Sequence, residues 1–487
     1  MRTVTGRTDS VVVVGAGLGG LSAALRLAGA GRQVTVVERS SVPGGRAGLL
    51  EVDGYRFDTG PTVLTMPSLL EDAFACVDEK LDDWLALRPL DPAYRAFFPD
   101  GSQLDVIADV ERMASAVHEL SGPRDADSYR RFATHVRTLF DLERRDFIDR
   151  NLDSPLSLLT PSLARLVALG GFRRIAPTVA KYFRDPRLRR VFSFQSLYAG
   201  LSPYDALALY LSIAYLDSIA GVTFPVGGMH AVPAAMAAAA EKHGVLLRYD
   251  TEVTRVEMRG ARAIAVHTAD GERIAADVVV VNADLPAVWR LLDLPARDLH
   301  WSPSCVLLLM GVSTAYSKLA HHNLHFGGAW RDSLRELRRG ELMSDPSLMV
   351  TNPTITDSDL APPGRSILGA LTLVPNLRTP LDWESLGPRF RDETVARLEQ
   401  QGYVDLQDAI EVEQVTTPAD WARQGLAAGT PFSADHRFSQ TGPFRTGNLP
   451  FDNVVLTGCG TQPGIGVPMV LMSGRLAAER VLGAGVR

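Results

Sequence analysis

Near the start of the chain, Val11 to Val14 run straight into Gly15, Gly17 and Gly20, spaced G-x-G-x-x-G, and then into Ser22 to Leu27. No other stretch narrows the possible folds so far. Four consecutive β-branched residues read as a strand buried on both faces of a parallel sheet, and the residues after the glycines read as a helix. A strand that turns this sharply into a helix needs each glycine for its own reason. The first permits the turn, the second lets backbone approach a pyrophosphate, and the third lets helix pack on strand. Unpaired N–H groups at the helix start then meet the phosphate charge.

A second strand, "QVTVVE", ends in Glu38 at the distance where an acid accepts both ribose hydroxyls. The same carboxylate repels a 2′-phosphate, which disfavours NADP. Gly44, Gly45 and Arg46 add a second close approach and a guanidinium suited to phosphate. "GYRFDTGP" (Gly54 to Pro61) follows as a hairpin-like turn. This pattern favours FAD over NAD. At the far end the motif returns without the same spacing. Val454 to Thr457 read as a buried strand, Gly458, Gly460, Gly464 and Gly466 as a turn, and a helix starts near Val467 or Pro468.

The chain has 487 residues, enough for two or three domains, and is 46% hydrophobic. A net charge of -6 gives no electrostatic case for nucleic acid. Cys76, Cys305 and Cys459 lie far apart, which fits a reducing compartment without disulfides or a zinc site. No secretory leader is expected, and no uncharged apolar run is long enough to span a bilayer. The protein is therefore expected to be soluble or to sit on a membrane surface. "HHNLH" (His321, His322, His325) reads as a loop of histidines rather than a metal site, since no Asp, Glu or Cys stands nearby. His230, after "PVGGM", is the one candidate catalytic side chain, with a capping or core role as its alternative.

With these motifs in order, the chain resembles the flavin-containing amine oxidase superfamily. The resemblance implies an α/β fold: a glutathione-reductase-like Rossmann FAD-binding domain assembled from discontinuous segments, with an α+β substrate domain. Residues 1–75, 223–300 and 441–487 would form the first, and residues 76–222 and 301–440 the second. It implies that Gly15, Gly17, Gly20, Glu38, Arg39, Gly45, Arg46, Gly60 and Pro61 contact the cofactor. Val253 would meet adenine through its backbone. Gly458, Gly460, Gly466 and Val467 would pass under the flavin and bring a helix N-terminus to its pyrimidine carbonyl. Amine oxidases need an aromatic wall from that last segment, but no Phe, Tyr or Trp follows Phe451.

Within the superfamily the chain resembles bacterial-type phytoene desaturases. "DPRLRRVFSFQSLYAGLSPYDALALY", "FPVGGMHAVPAAM", "VVNADLP", "SPSCVLLLMG", "AHHNLHFGG", "TPADW" and "PGIGVPMVLMSGRLAAERV" carry this likeness along nearly the whole chain. Gln462 and Met469 depart from it, standing where the family often has His and Gly. The implied reaction is hydride transfer from an allylic carbon to flavin N5, with a proton lost from the neighbouring carbon. Isomerisation, ketolation, saturation and diapophytoene desaturation keep the same cofactor, as does a non-catalytic isoprenoid carrier. One dinucleotide fingerprint rather than two points to oxygen or a quinone as electron acceptor. A hydrophobic polyene lives in the bilayer, and Ser162 to Phe194 interleave eight basic residues with apolar ones. The protein is accordingly expected in the cytoplasm, on the inner face of the cell membrane.

Overall fold

Residues 1–316 and 318–483 are described by a computed structural model of the chain. Strands from widely separated stretches build a five-stranded parallel sheet. Across it stand Val454–Leu456, Val278–Val281, Ser10–Val14, Gln33–Val37 and Leu246–Arg248. The central strands are unbroken valine runs because helices and a three-stranded sheet cover both faces. The first helix, Leu18–Gly29, packs on one face beside the last, Val467–Leu482. Their approach is close enough that a Cβ on Gly474 would lie 2.4 Å from the carbonyl oxygen of Gly19.

A seven-stranded sheet forms the second layer system. Its strands come from 94–106 and 304–416, and only Tyr94–Phe97 and His322–His325 pair in parallel. All nine residues of Ser304–Val312 are buried. Alternation explains this: Leu308, Met310 and Val312 pack with Val395 and Leu398 of the helix Trp383–Gln400, while Cys305, Leu307 and Leu309 face an internal cavity. Opposite that cavity runs the helix Pro123–Glu143, which widens into a π turn at Arg144–Ile148. Leu211–Tyr215 does the same at Leu216–Ala220, and Phe140 and Tyr215 stack between the two with centroids 5.0 Å apart.

One sequence expectation changes. "HHNLH" is not a loop: His322–His325 is a buried strand, and His321 just before it is buried too. Burial pushes His322 and His325 down to about 4, so they enter the core as neutral rings. The segment Ser162 to Phe194 holds three short helices, Pro161–Ala168, Ile175–Tyr182 and Pro186–Val191. Leu166, Ile175 and Val179 point inward, while Val167 and Phe172 stay exposed. No described helix is long and apolar enough to cross a membrane.

The contact between first and last helices gives a stability test. Gly474→Val should force them apart and lower stability by about 1–3 kcal/mol, read as a lower melting temperature. An unchanged melt would mean that the two helices are not packed this closely.

Candidate functional site

A cavity of about 1110 Å³ runs between the two sheets. That exceeds the range of most single small-molecule pockets, roughly 300–1,000 Å³. One end is polar and is built by glycine turns. Gly17 caps the first helix without a side-chain hydrogen bond, leaving the N-terminal N–H groups free toward the cavity. Gly20 does not line the cavity but packs below it, where a Cβ would lie 2.1 Å from the Gly15 carbonyl oxygen. Glu38 is buried and lines the cavity. Its Oε2 accepts the Ala16 N–H at 2.7 Å and its Oε1 the Ser40 N–H at 2.9 Å. Each oxygen keeps a lone pair for a ribose hydroxyl. The Thr251 N–H donates to the Glu38 carbonyl at 2.8 Å, which brings cavity-lining Val253 alongside. Arg39 also lines this end and donates to the Gln424 carbonyl at 2.7 Å.

Arg46 lines the same end of the cavity. Its Nη1 donates to Cys459 Sγ at 2.7 Å and its Nη2 is 3.3 Å from Asp284 Oδ1. Burial opposes its charge, but Cys459 and Asp284 more than offset this and push its pKa up. Arg46 Nε and Nη2 and Asp284 Oδ1 have no hydrogen-bond partner. A buried guanidinium with a free Nε–H beside a helix start fits a diphosphate. Gly45 and Pro61 line the same region, and so does Gly60, which presses on the Arg46 carbonyl with 1.8 Å left for a Cβ.

The C-terminal turn closes the cavity from the other side. Gly458, Gly466 and Val467 line it, and Gly466 caps the helix Val467–Leu482 without a side-chain bond. Gly460 lies behind, against Leu285. His230 is also outside the lining. Its Nε2 donates to the Pro43 carbonyl at 3.0 Å, and its N–H and that of Met229 donate to Asp58 at the start of the helix Ala231–Lys242. Burial pushes Asp58 up to about 6, against those two backbone donors.

Three contacts at the site escape a reading by motif. Asn282 Nδ2 donates to the Gly15 carbonyl at 3.2 Å, and its amide also abuts Gly458. His436 packs on Gly464, and its Nε2 accepts the Ile465 N–H at 3.3 Å. Burial, and then Arg445, hold its pKa low, so it is neutral. Gln462 clasps Leu152 through both N–H and C=O at 3.2 Å each, fastening the turn to the chain beyond the helix Pro123–Glu143. The only local signal was the "VVNADLP" phrase, which places Asn282 directly after a buried strand.

The other wing of the cavity is apolar. Leu307, Leu309, Leu371 and Ile367 form its floor, and Phe140, Phe194, Leu209 and Ile213 its roof. No lysine or arginine among the described residues lines this wing. Phe172 and Phe444 line the cavity and stay exposed, while Phe147, Ile148, Leu158 and Leu163 line it half-buried. Leu156, Leu159 and Val167, close to these in sequence, are exposed as well, and so is Phe438, which packs on Phe444.

Glu38→Ala should strip the adenosine-end acceptor and strand two N–H donors. Such losses are worth about 1–3 kcal/mol each, so purified protein should lose most of its yellow colour. The flavin-to-protein absorbance ratio checks this, and full retention of flavin would remove Glu38 from the cofactor site.

The model of one family, described as flavin containing amine oxidoreductase, matches residues 18–482. The chain is 56% identical to a phytoene dehydrogenase of Streptomyces griseus, over 99% of this chain and 97% of that protein. It is 37% identical to a zeta-carotene-forming phytoene desaturase of Myxococcus xanthus, over 97% and 93% of the two chains. Among solved structures, a variant of putrescine oxidase aligns with a TM-score of 0.65 at 15% identity, covering 98% of this chain and 99% of that one. That last likeness is one of fold.

Proposed function

The chain belongs to the flavin containing amine oxidoreductase family and uses FAD, and from its cavity we propose that it desaturates a carotenoid precursor, 15-cis-phytoene or a close relative. The continuous apolar wing carries this reading. It joins the nucleotide end without a barrier and offers no cation to anchor a polar substrate. A hydrocarbon chain gains from burial along its length, roughly 25 cal/mol per Å² of apolar surface. The relatives named above act on such substrates.

In this reading residues 1–75, 223–300 and 441–487 hold FAD, and residues 76–222 and 301–440 hold the polyene. Gly15, Gly17, Arg46 and the first helix bind the diphosphate, Glu38 the ribose, and the segment from Gly458 to Val467 the ring system. Bound FAD supplies the hydride acceptor. The chain's own work is to hold an allylic C–H at near-attack distance and to keep water out. Isomerisation, ketolation and saturation would use the same walls, so product analysis separates them. Expression in phytoene-producing cells should convert phytoene to coloured carotenoids resolved by chromatography. Unchanged phytoene would overturn the desaturase reading.

Exposed apolar and basic residues of this region support membrane-surface work on the inner face of the cell membrane. Leu156 and Leu159 are each 74% exposed, with Arg165, Arg173 and Arg174 nearby in sequence and exposed. Such a mixture suits an anionic lipid surface. Flotation with anionic vesicles should carry the protein up at low salt and less of it at high salt. No flotation at either salt would remove this proposal. Oxygen or a quinone would reoxidise the cofactor, and strict dependence of turnover on NAD+ would exclude that route.

A further inference from the structure

Two carboxyl side chains, Glu143 and Asp217, stand in the apolar wing of the cavity. Each is only 4% exposed, and neither has an ion-pair partner among the described residues. Glu143 Oε1 and Asp217 Oδ2 have no hydrogen-bond partner. Both sit where a helix widens. Glu143 directly precedes the π turn Arg144–Ile148, and Asp217 lies within the π turn Leu216–Ala220. Such turns recur at functional sites because they re-aim a side chain at the expense of regular bonding. Enclosing a hydrocarbon calls for no carboxyl at all, and an unpaired buried one is unfavourable.

The surroundings separate the two. Burial pushes Glu143 well above the usual carboxylate range, against one hydroxyl, Ser212, so it stays protonated. Burial pushes Asp217 up to about 7, offset in part by Gln195, so it exchanges a proton near neutrality. The titratable groups that face Asp217 are the phenols of Tyr94, on the seven-stranded sheet, and Tyr198, on the turn Phe194–Ala199. From the packed helix Pro123–Glu143, Tyr129 faces Tyr94 and Glu143 faces Tyr210. No cation is among them. A polar relay adjoins the carboxyl: Gln195 Nε2 donates to Tyr94 Oη at 3.2 Å and to Ser218 Oγ at 3.3 Å, and those two oxygens are 3.1 Å apart. Gln195 Oε1 is itself unpartnered.

We propose that Asp217 is the base that takes the proton released when the substrate loses two hydrogens. One C–H bond breaks and gives its hydride to oxidised flavin, which is thereby reduced. The neighbouring C–H bond breaks, its electron pair forms the new C=C, and its proton passes to the Asp217 carboxylate. This assignment rests on the desaturase reading.

Asp217→Asn and Asp217→Glu test it in the FAD-loaded protein, with phytoene in vesicles and without air. Wild-type flavin should bleach faster as pH rises, levelling off above about 7. The Asn variant should bleach about 100-fold or more slowly, with a flat pH profile, and the Glu variant should recover much of the rate. A second measurement is independent of turnover. The folded pKa of Asp217 lies above its unfolded value. The stability that its neutral form contributes is therefore complete below the unfolded pKa and is lost as pH rises through about 7. The melting temperature of the Asn variant should equal that of wild type in acid and exceed it at alkaline pH. Bleaching of the Asn variant within about threefold of wild type and with the same pH profile would overturn the assignment alone. A melting-temperature gap that does not change with pH would do the same. Failure of wild type to bleach would overturn the desaturase reading along with it.

Discussion

Asn282 holds the two glycine turns of the molecule to one point. Its amide nitrogen binds the Gly15 carbonyl, and a Cβ on Gly17, Gly19 or Gly458 would fall 2.9 Å from one of its amide atoms. The amide therefore fills a space that exists only because four positions around it lack side chains, counting Gly20, whose Cβ would lie 3.0 Å from Nδ2. Two strands from opposite ends of the chain flank Val278–Val281, the strand that carries Asn282. Their turns face the same volume, and so do the starts of the helices that follow. The cofactor cradle is a result of that single meeting point.

The two ends of the cavity differ because different parts of the chain face them. The nucleotide end presents backbone N–H groups at helix starts and loops pressed too close for side chains, with Glu38 and Arg46 set among them. In the apolar wing the backbone is spent on the seven-stranded sheet, and every second side chain forms the wall. Ser304–Val312 serves both purposes at once, with one face on the cavity and the other on a helix. A wall built on paired strands is stiff.

The nucleotide end was legible in the sequence because its requirements are local. Glycines at fixed spacing, a valine strand before them and Glu38 after the next strand each follow from neighbours a few residues away. The far turn was legible for the same reason. Asn282 and His436 were not, because their partners lie far along the chain: Gly15 and Ile465. Gln462 stood out as a departure from the family, but its bond to distant Leu152 did not. The strand His322–His325 read as a loop because histidine looks polar on paper. In the structure His322 meets the carbonyls of Ala93 and Thr62 and His325 meets Tyr403, so the rings are absorbed as neutral core residues. The π turns that hold Glu143 and Asp217 leave no periodic signal in the sequence, though Phe140 and Tyr215 pack together just before them.

Strand Val454–Leu456 pairs beside Val278–Val281, and buried Arg480 bonds the Arg2 carbonyl while the Val4 N–H bonds back to the Arg480 carbonyl. The sheet that carries the cradle therefore closes only when two stretches far apart in the chain have met. Until Val454–Leu456 arrives, one edge of Val278–Val281 stands unpaired, a state prone to wrong pairings. Any ligand that binds only the closed sheet favours that form by mass action.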